Sequence, residues 1–381
     1  MEDSKHIYFK GLNGLRFFAA FAVIITHIEM IKEQMDCPNL YKNHKFIIEL
    51  GGLGVVFFFV LSGFLITYLL LKEKEQTGTV NVKKFYVRRV LRIWPLYFLI
   101  VLIGFFVLPY FEFMHIHYSA RFRSHLSVIN LILFLIMLPN AAFAIFKPMP
   151  HIGQTWSVGV EEQFYLLWPW FVKKSKKILR TLTFVIAFLI TLKIIILLLI
   201  KSQPENANLL ILKDIVAMLK IESMAIGGIG AWMVFEKKYF QKILNNYVLV
   251  AAIGCVIVMI YFTPAMIQDA AFLGFSVLFL IIILNVSLNP YSFIKLENKM
   301  FVFLGNISYG LYMYHLIVVA AFIGVLKQIG FNVDNSFLSQ LILYIGVTGL
   351  TILISWLSYR YFESWFLKLK NRFTVVKSGS F

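Results

Sequence analysis

Long apolar segments recur along this chain and limit the folds that are open to it. A helix of about twenty apolar residues crosses the hydrocarbon core of a bilayer. Segments of about that length occur, one of them interrupted by Arg180 and Lys193, at residues 51–71, 178–200, 244–266, 270–288, 301–326 and 337–357. Because only helices and closed barrels satisfy every backbone polar group in lipid, these segments predict an all-α, polytopic integral membrane helical bundle. The composition agrees, with 60% hydrophobic and 14% charged residues.

The net charge of +17 comes from lysines and arginines that cluster between the apolar segments. This is the positive-inside pattern of a membrane protein, and it argues against nucleic-acid binding. We therefore predict about ten transmembrane helices with both termini cytoplasmic, in the cell (inner or plasma) membrane. That arrangement places on the cytoplasmic side the basic clusters at residues 5–16, 72–92, 236–242, 295–299 and 368–377.

Residues 126–146 do not fit this arrangement as a spanning helix. Their uninterrupted apolar part is only about thirteen residues long and ends before Pro139 and Asn140. A span here would also place the lysine cluster at residues 173–180 outside, against the charge rule. We predict a short interfacial or re-entrant segment instead.

The domain organisation is simple. We predict a single membrane domain over residues 1–370 and a basic cytoplasmic tail over residues 371–381. No small-residue cleavage site follows the first apolar segment, so we interpret it as a retained helix and not as a signal peptide. Cys37 and Cys255 are the only cysteines, and they predict neither a disulfide framework nor a metal site.

Arg16 and His27 lie in the first apolar segment, where an ionisable side chain is a functional candidate by default. Their eleven-residue separation is about three helical turns plus 20°, so both occupy one helix face about 16 Å apart. An arginine that holds an anionic ligand and a histidine that accepts a proton would then share one cavity. A structural interpretation stays open, in which His27 is a hydrogen-bonded bundle residue and Arg16 extends to the interface.

A second polar motif contains Arg88, Arg89 and Arg92 at the start of the third predicted span. Spacings of three and four residues place Arg92 on a common helix face with the other two. The planar guanidinium suits phosphate, which makes this cluster a candidate site for a phosphorylated cytoplasmic ligand. The alternative is that these arginines serve topology and bind anionic lipid.

A third motif surrounds a helical stripe formed by Ser157, Glu161 and Tyr165 at four-residue intervals. Acidic side chains at the outer end of a span are costly unless they face water or a substrate. An interfacial aromatic belt would explain Trp156 and Tyr165, but it would not explain the acids.

A fourth motif begins at Ser308 and Tyr309 and ends at His315. Ser308 and His315 are seven residues apart, about two turns, and therefore share a face. Small polar residues also promote ordinary helix packing in membranes, and this alternative stays open.

Together these segments resemble the acyltransferase 3 family of integral membrane acyltransferases, which includes bacterial O-antigen and exopolysaccharide O-acetyltransferases. The resemblance covers nearly the whole chain and rests on five segments in the family's order. They are the Arg16-x10-His27 spacing, residues 54–66 around Ser62-Gly63, residues 88–97, residues 155–169 and residues 306–315. The chain departs from the family at Ser364, where a proline is usual, and at Lys220 and Glu222, which replace an Arg-x-Asp-like pair before Gly227.

The resemblance implies transfer of an acyl group, most often acetyl, from acyl-CoA to a hydroxyl of an extracytoplasmic or lipid-linked carbohydrate. No permanently bound cofactor is implied, because acetyl-CoA is a co-substrate. We predict His27 as general base with Arg16 and Glu161 as further catalytic residues, and His315 as a second base or an acyl carrier. Arg88, Arg89 and Arg92 would bind acyl-CoA on the cytoplasmic side. Trp156 and Glu161 would open towards the other side. Acceptor-binding or supporting roles would fall to Ser157, Tyr165, Trp156, His315, Ser308 and Tyr309.

Two other functions remain compatible with the residues alone. Intramembrane charges and broken helices also describe a secondary transporter of a small anionic metabolite, although the sequence contains no clear inverted repeat. A membrane glycan polymerase or ligase would use buried Arg, Glu and His on lipid-linked sugars. It would not need the arginine cluster.

Overall fold

A computed structural model describes residues 7–41, 44–116, 128–263 and 268–376, apart from the side chains of residues 268 and 269. Three parts of the predictions lie outside the described residues. They are Lys5, the first two residues of the predicted re-entrant segment, and residues 377–381 of the predicted tail. All regular elements of the described residues are helical, which agrees with the predicted all-α class.

The helices follow one another through mostly short connections. The first seven are α1 (Leu12–Gln34), α2 (Lys45–Thr77), α3 (Val82–Phe106), α4 (Val128–Leu135), α5 (Pro139–Phe146), α6 (Thr155–Lys174) and α7 (Ile178–Ser202). The next four are α8 (Ala207–Met218), α9 (Ile221–Phe235), α10 (Asn246–Phe262) and α11 (Gln268–Leu288). The last four are α12 (Lys299–Asn306), α13 (Ser308–Gln328), α14 (Phe337–Ser358) and α15 (Ser364–Asn371).

Seven helical stretches of the described chain are long and apolar enough to cross a membrane. They are Leu12–Gln34, Lys45–Thr77, Val82–Tyr110, Ile178–Ser202, Ala270–Leu288, Ser308–Gln328 and Phe337–Asn371. This agrees with the predicted polytopic bundle. Ten spans would also require α6, α9 and the shorter apolar α10, so the count of ten and the cytoplasmic termini stay predictions.

Helix α2 packs against α1 along one side and against α9 along another. Glycines make both contacts close. A Cβ atom on Gly54 would lie 2.7 Å from the Ala19 carbonyl oxygen of α1. On the other side, a Cβ atom on Gly63 would lie 1.9 Å from the Met224 carbonyl oxygen, and one on Gly227 would lie 2.0 Å from the Val60 carbonyl oxygen. The backbones of α2 and α9 therefore touch directly, as small residues permit in membrane bundles.

The apolar region before α6 forms two short helices. Helices α4 and α5 have 8 residues each, and between them Met137 has a positive φ of 61°. Neither helix has the length to span a bilayer, which is compatible with the prediction of an interfacial or re-entrant segment.

One predicted continuous helix is interrupted, and another continues beyond its predicted end through an irregular turn. The predicted segment 301–326 breaks at Ile307 between α12 and α13. Gly305 there lies against α1, since a Cβ atom on it would be 2.5 Å from the Asn13 carbonyl oxygen. Near the C-terminus, a π-helical turn at Tyr359–Glu363 joins α14 to α15, which packs against α3.

Candidate active site

A cavity of about 250 Å³ lies among α1, α2, α3, α6, α13 and α15. Much of its wall is polar, which is unusual for the inside of a membrane bundle. Its polar lining residues are Tyr8, Asn13, Arg16, Ser62, Arg89, Arg92, Ser157, Glu161, Tyr165, Ser308, Tyr309, Tyr312 and Lys370. The structure thus places residues from all four predicted motifs around one space.

The cavity contains four cationic side chains and one carboxylate. Arg16, Arg89, Arg92 and Lys370 supply the positive charge, and Glu161 supplies the only negative charge of the lining residues. Arg16 donates from Nη1 to the neutral amide oxygen of Asn13 at 3.0 Å. Such an excess of positive charge favours a polyanionic ligand.

Arg89 lies against aromatic rings at the cavity wall. Its guanidinium carbon lies 5.5 Å from the ring centre of Tyr165 and 5.7 Å from that of Phe85. Its buried Nε atom has no acceptor among the described residues. Because a buried donor without a partner is costly, we interpret this atom as available to a ligand.

Glu161 is held by hydroxyl groups within the cavity. Ser62 of α2 donates to Oε1 at 2.7 Å, and Tyr165, one turn along α6, donates to Oε2 at 3.2 Å. One turn in the other direction, the Ser157 hydroxyl lies 2.6 Å from the Tyr312 hydroxyl of α13. The predicted stripe of Ser157, Glu161 and Tyr165 therefore lines the cavity wall.

His27 and His315 form a hydrogen-bonded pair beyond Tyr312. His315 is fully buried, and its Nδ1 lies 2.7 Å from the Tyr312 carbonyl oxygen, while its Nε2 lies 3.0 Å from Nδ1 of His27. His27 is partly accessible and does not line the cavity. Arg16 lines it, so the two residues share a helix face but occupy different surroundings.

The hydrogen bonds of this pair assign its tautomers. A carbonyl oxygen only accepts, so His315 donates from Nδ1 to Tyr312, and its neutral ring then has an accepting Nε2. His27 must therefore donate from Nδ1, both to His315 and to the Val23 carbonyl oxygen at 2.9 Å. The lone pair of neutral His27 consequently lies on Nε2.

Two predicted site residues lie outside the cavity. Arg88 donates to the Glu73 carboxylate at 3.0 Å and to the Phe373 carbonyl oxygen at 2.9 Å. Trp156 packs edge-on against Phe59, with ring centres 6.2 Å apart. The other members of the predicted set are on the cavity wall, apart from His27 and His315.

The variant Lys220 and Glu222 positions also lie outside the cavity wall. Glu222 of α9 forms an ion pair with Lys193 of α7, and Lys220 lies 3.7 Å from the ring centre of Phe272. These contacts support a structural role for the pair.

The predicted donor and acceptor residues are closer together than the sequence suggested. Glu161 was expected to open towards the side opposite the arginines, yet it lines the same cavity as Arg89 and Arg92. The reason is that α6 passes beside α2 and α3, and its stripe faces inward over about two turns.

Tyr8, near the first described residues, makes a polar contact at the cavity wall. Tyr8 lines the cavity and hydrogen-bonds to Glu297, whose other oxygen accepts from the Gly11 amide at 2.6 Å. Burial and then the Glu297 contact raise the pKa of Tyr8 to about 12. Tyr8 therefore remains a hydrogen-bond donor at physiological pH.

Five polar lining residues were not predicted as site residues from the sequence: Tyr8, Asn13, Ser62, Tyr312 and Lys370. Ser62 belongs to a quoted motif, and Tyr312 follows Ser308 at the four-residue spacing that the other stripe also shows. Lys370 had no comparable signal, because its position depends on the π-helical turn before α15.

The chain belongs to the acyltransferase 3 family, as the motifs predicted, since the family's acyltransferase domain matches residues 9–360. O-acetyltransferase OatA of Staphylococcus aureus (strain NCTC 8325 / PS 47) is 28% identical over 383 residues, which are 94% of this chain and 57% of that protein. A Staphylococcus aureus (strain COL) protein with a provisional O-acetyltransferase name is 28% identical over 384 residues, 95% of this chain and 58% of that protein. The chain thus spans less than two thirds of these relatives. No solved structure matches it significantly.

Proposed function

We propose that this protein is a membrane O-acyltransferase of the cell membrane. It moves an acyl group, acetyl in the simplest case, from cytoplasmic acyl-CoA to a hydroxyl of an extracytoplasmic or lipid-linked carbohydrate. The observation that carries the proposal is the cavity itself, which combines a cationic site with a polar wall that leads to the His27–His315 pair. Family membership supports the same reaction class. It also argues against the transporter and glycan polymerase alternatives.

The donor binds with its phosphates at the cationic end of the cavity. Acyl-CoA is polyanionic at its nucleotide and neutral at its thioester, so the positive charges of Arg16, Arg89 and Arg92 suit the nucleotide. The cluster lies near the first turn of α1 and in the first half of α3, at helix ends that the charge rule assigns to the cytoplasm. The thioester then points towards Tyr312 and the histidines.

His27 acts as the general base in direct transfer. Its Nε2 lone pair takes the proton from the acceptor hydroxyl while the hydroxyl oxygen attacks the thioester carbonyl carbon. The carbon–sulfur bond then breaks, and the CoA thiolate takes a proton back from His27. The hydroxyl groups of Tyr312 and Ser157 stabilise the negative charge that develops on the carbonyl oxygen.

His315 supports His27 and does not carry the acyl group. Both of its ring nitrogens are engaged, one with the Tyr312 carbonyl oxygen and one with His27, and the side chain has no exposed surface. A nucleophile needs a free lone pair that reaches the thioester. These contacts favour direct transfer over an acyl-histidine intermediate.

Glu161 orients the acceptor. Its two oxygens accept from Ser62 and Tyr165, and a carboxylate retains further acceptor positions for a sugar hydroxyl. Its negative charge next to Arg89 and Arg92 also limits how far the donor phosphates extend into the cavity.

Purified full-length protein in lipid nanodiscs tests this function. We expect it to transfer radiolabel from acetyl-CoA to a polyprenyl-linked glycan. His27→Ala should lower kcat by about 10²- to 10⁴-fold and leave acetyl-CoA binding unchanged, because general-base catalysis contributes that much. His44→Ala, which alters an exposed histidine, is the matched control. Full activity in His27→Ala would exclude His27 as the base, and the absence of transfer from any acyl-CoA in the wild type would contradict the function.

A further inference from the structure

The C-terminal helix is directed to the cavity by an unusual turn. After α14, the chain forms a π-helical turn at Tyr359–Glu363 before α15 begins. Single π-turns inside helices occur frequently at functional sites. Buried Glu363 within the turn accepts a hydrogen bond from Ser358 at 3.1 Å, and α15 then packs against the arginine-bearing helix α3.

Lys370 of α15 projects into the cavity where Arg16, Arg89 and Arg92 also reach it. No ion pair or hydrogen bond of its ammonium group is found within the described part of the chain. Lys368, on the same helix, is exposed and does not line the cavity. A lysine ammonium that shares a cavity with three arginines is repelled by them, and a polyanion bound between them would offset this repulsion.

Arg88 fixes the end of this segment. Its Nη1 donates to the Phe373 carbonyl oxygen just after α15, and its Nη2 donates to Glu73 near the end of α2. The other Glu73 oxygen accepts from the Asn81 amide at the start of α3, at 2.8 Å. Arg88 is thus bonded to both the C-terminal segment and the α2–α3 connection.

We propose that residues 359–373 carry Lys370 to the wall of the donor site and that Lys370 contacts the nucleotide phosphates of the acyl-CoA. The inference rests on the proposed function and extends it to a part of the chain that no sequence motif marked. Lysine binds phosphate as a compact point charge, which complements the planar guanidinium groups opposite it. Arg88 acts as a positioning residue, because it holds the segment that carries Lys370.

Steady-state kinetics of the full-length protein with acetyl-CoA and a polyprenyl-linked glycan test this inference. We expect Lys370→Gln to raise the KM for acetyl-CoA about tenfold, and to leave kcat and the KM for glycan unchanged. Lys370→Arg, which keeps the charge, should remain within a few-fold of the wild type. Lys368→Gln, the control on the same helix, should match the wild type.

Inhibition by adenosine 3′,5′-bisphosphate tests whether Lys370 contacts the phosphates of the donor and not another part of it. This probe carries phosphate groups and no thioester, so we expect its inhibition constant to rise in Lys370→Gln by the same factor as the KM for acetyl-CoA. Arg88→Ala should raise both constants in parallel, since the segment loses its anchor. Equal thermal unfolding midpoints of Lys370→Gln and the wild type exclude misfolding as the cause.

Three results would overturn the inference. They are an unchanged KM in Lys370→Gln, equal increases in the KM values for acetyl-CoA and glycan, and no inhibition of the wild type by the bisphosphate. A wild-type protein that transfers acetyl groups while giving any of these results would retain the proposed function. Failure of the wild type to use any acyl-CoA would instead contradict that function and the inference with it.

Discussion

The Nδ1 atom of His27 has two hydrogen-bond partners, one in its own helix and one in a distant helix. The eleven-residue spacing from Arg16 predicted the shared face, and Val23 lies one turn away on the same helix. The second acceptor, Nε2 of His315, comes from a helix 288 positions away along the chain. The candidate base was therefore predictable from the sequence, whereas its tautomer depends on tertiary packing.

The His27–His315 contact predicts a graded response to substitution. His315→Ala should lower kcat about tenfold, because His27 loses one of two acceptors that keep the proton on Nδ1. His315→Gln should recover part of the loss, since an amide oxygen can accept from Nδ1. Steady-state kinetics at saturating acetyl-CoA would measure both effects. A His315→Ala enzyme with wild-type kcat and normal thermal stability would contradict the supporting role.

The surroundings of Arg88 and Lys370 could not be predicted from the sequence. The sequence grouped Arg88 with Arg89 and Arg92, because all three lie within two turns of one helix. In the structure Arg88 faces Glu73 and Phe373, and Lys370 joins the other two at the cavity. A contact across 285 positions of chain, as between Arg88 and Phe373, leaves no periodic signal. The role of Arg88 as a direct donor ligand stays a prediction, and its contacts favour a positioning role.

At the level of elements, α2 is held in place by contacts that only glycine permits. Gly63 lies next to Ser62, which donates to Glu161, so the α2–α9 contact also fixes a wall of the cavity. The sequence placed Ser62 and Gly63 in one motif and Gly227 in another. It did not show that the two glycines meet, because helix pairing is decided by packing across the bundle.

Alanine substitutions test this close helix contact. Gly63→Ala should destabilise the protein by about 1–3 kcal/mol or more, because the added Cβ atom would overlap the Met224 carbonyl oxygen of α9. Gly52→Ala, on the same helix, is the control, since nothing lies within 4 Å of its added Cβ atom. It should be neutral or stabilising, by up to about 1 kcal/mol. Thermal unfolding in detergent micelles would measure both, and equal midpoints would show that α2 and α9 do not meet at Gly63.

For the whole molecule, the membrane bundle and the family were both predicted correctly. The bundle was predictable because the lengths of apolar segments and the clusters of charged residues are visible in the sequence itself, and the family was predictable from the order of its motifs. Helix boundaries were less predictable. The segment 301–326 divides at Ile307, and α14 continues through a π-helical turn that hydropathy does not show. The division of residues between the two membrane sides was also only partly predictable, since Glu161 shares the cavity of the arginines.

Mass spectrometry of cell-surface glycans tests the central claim most directly, that this cavity and His27 add an acyl group to a carbohydrate. Cells that lack the gene would be compared after complementation with the wild type, His27→Ala or His44→Ala, with equal membrane expression verified. We predict that the wild type and His44→Ala restore glycans heavier by one acyl group and that His27→Ala does not. Identical glycan masses in all strains, or full restoration by His27→Ala, would contradict the account.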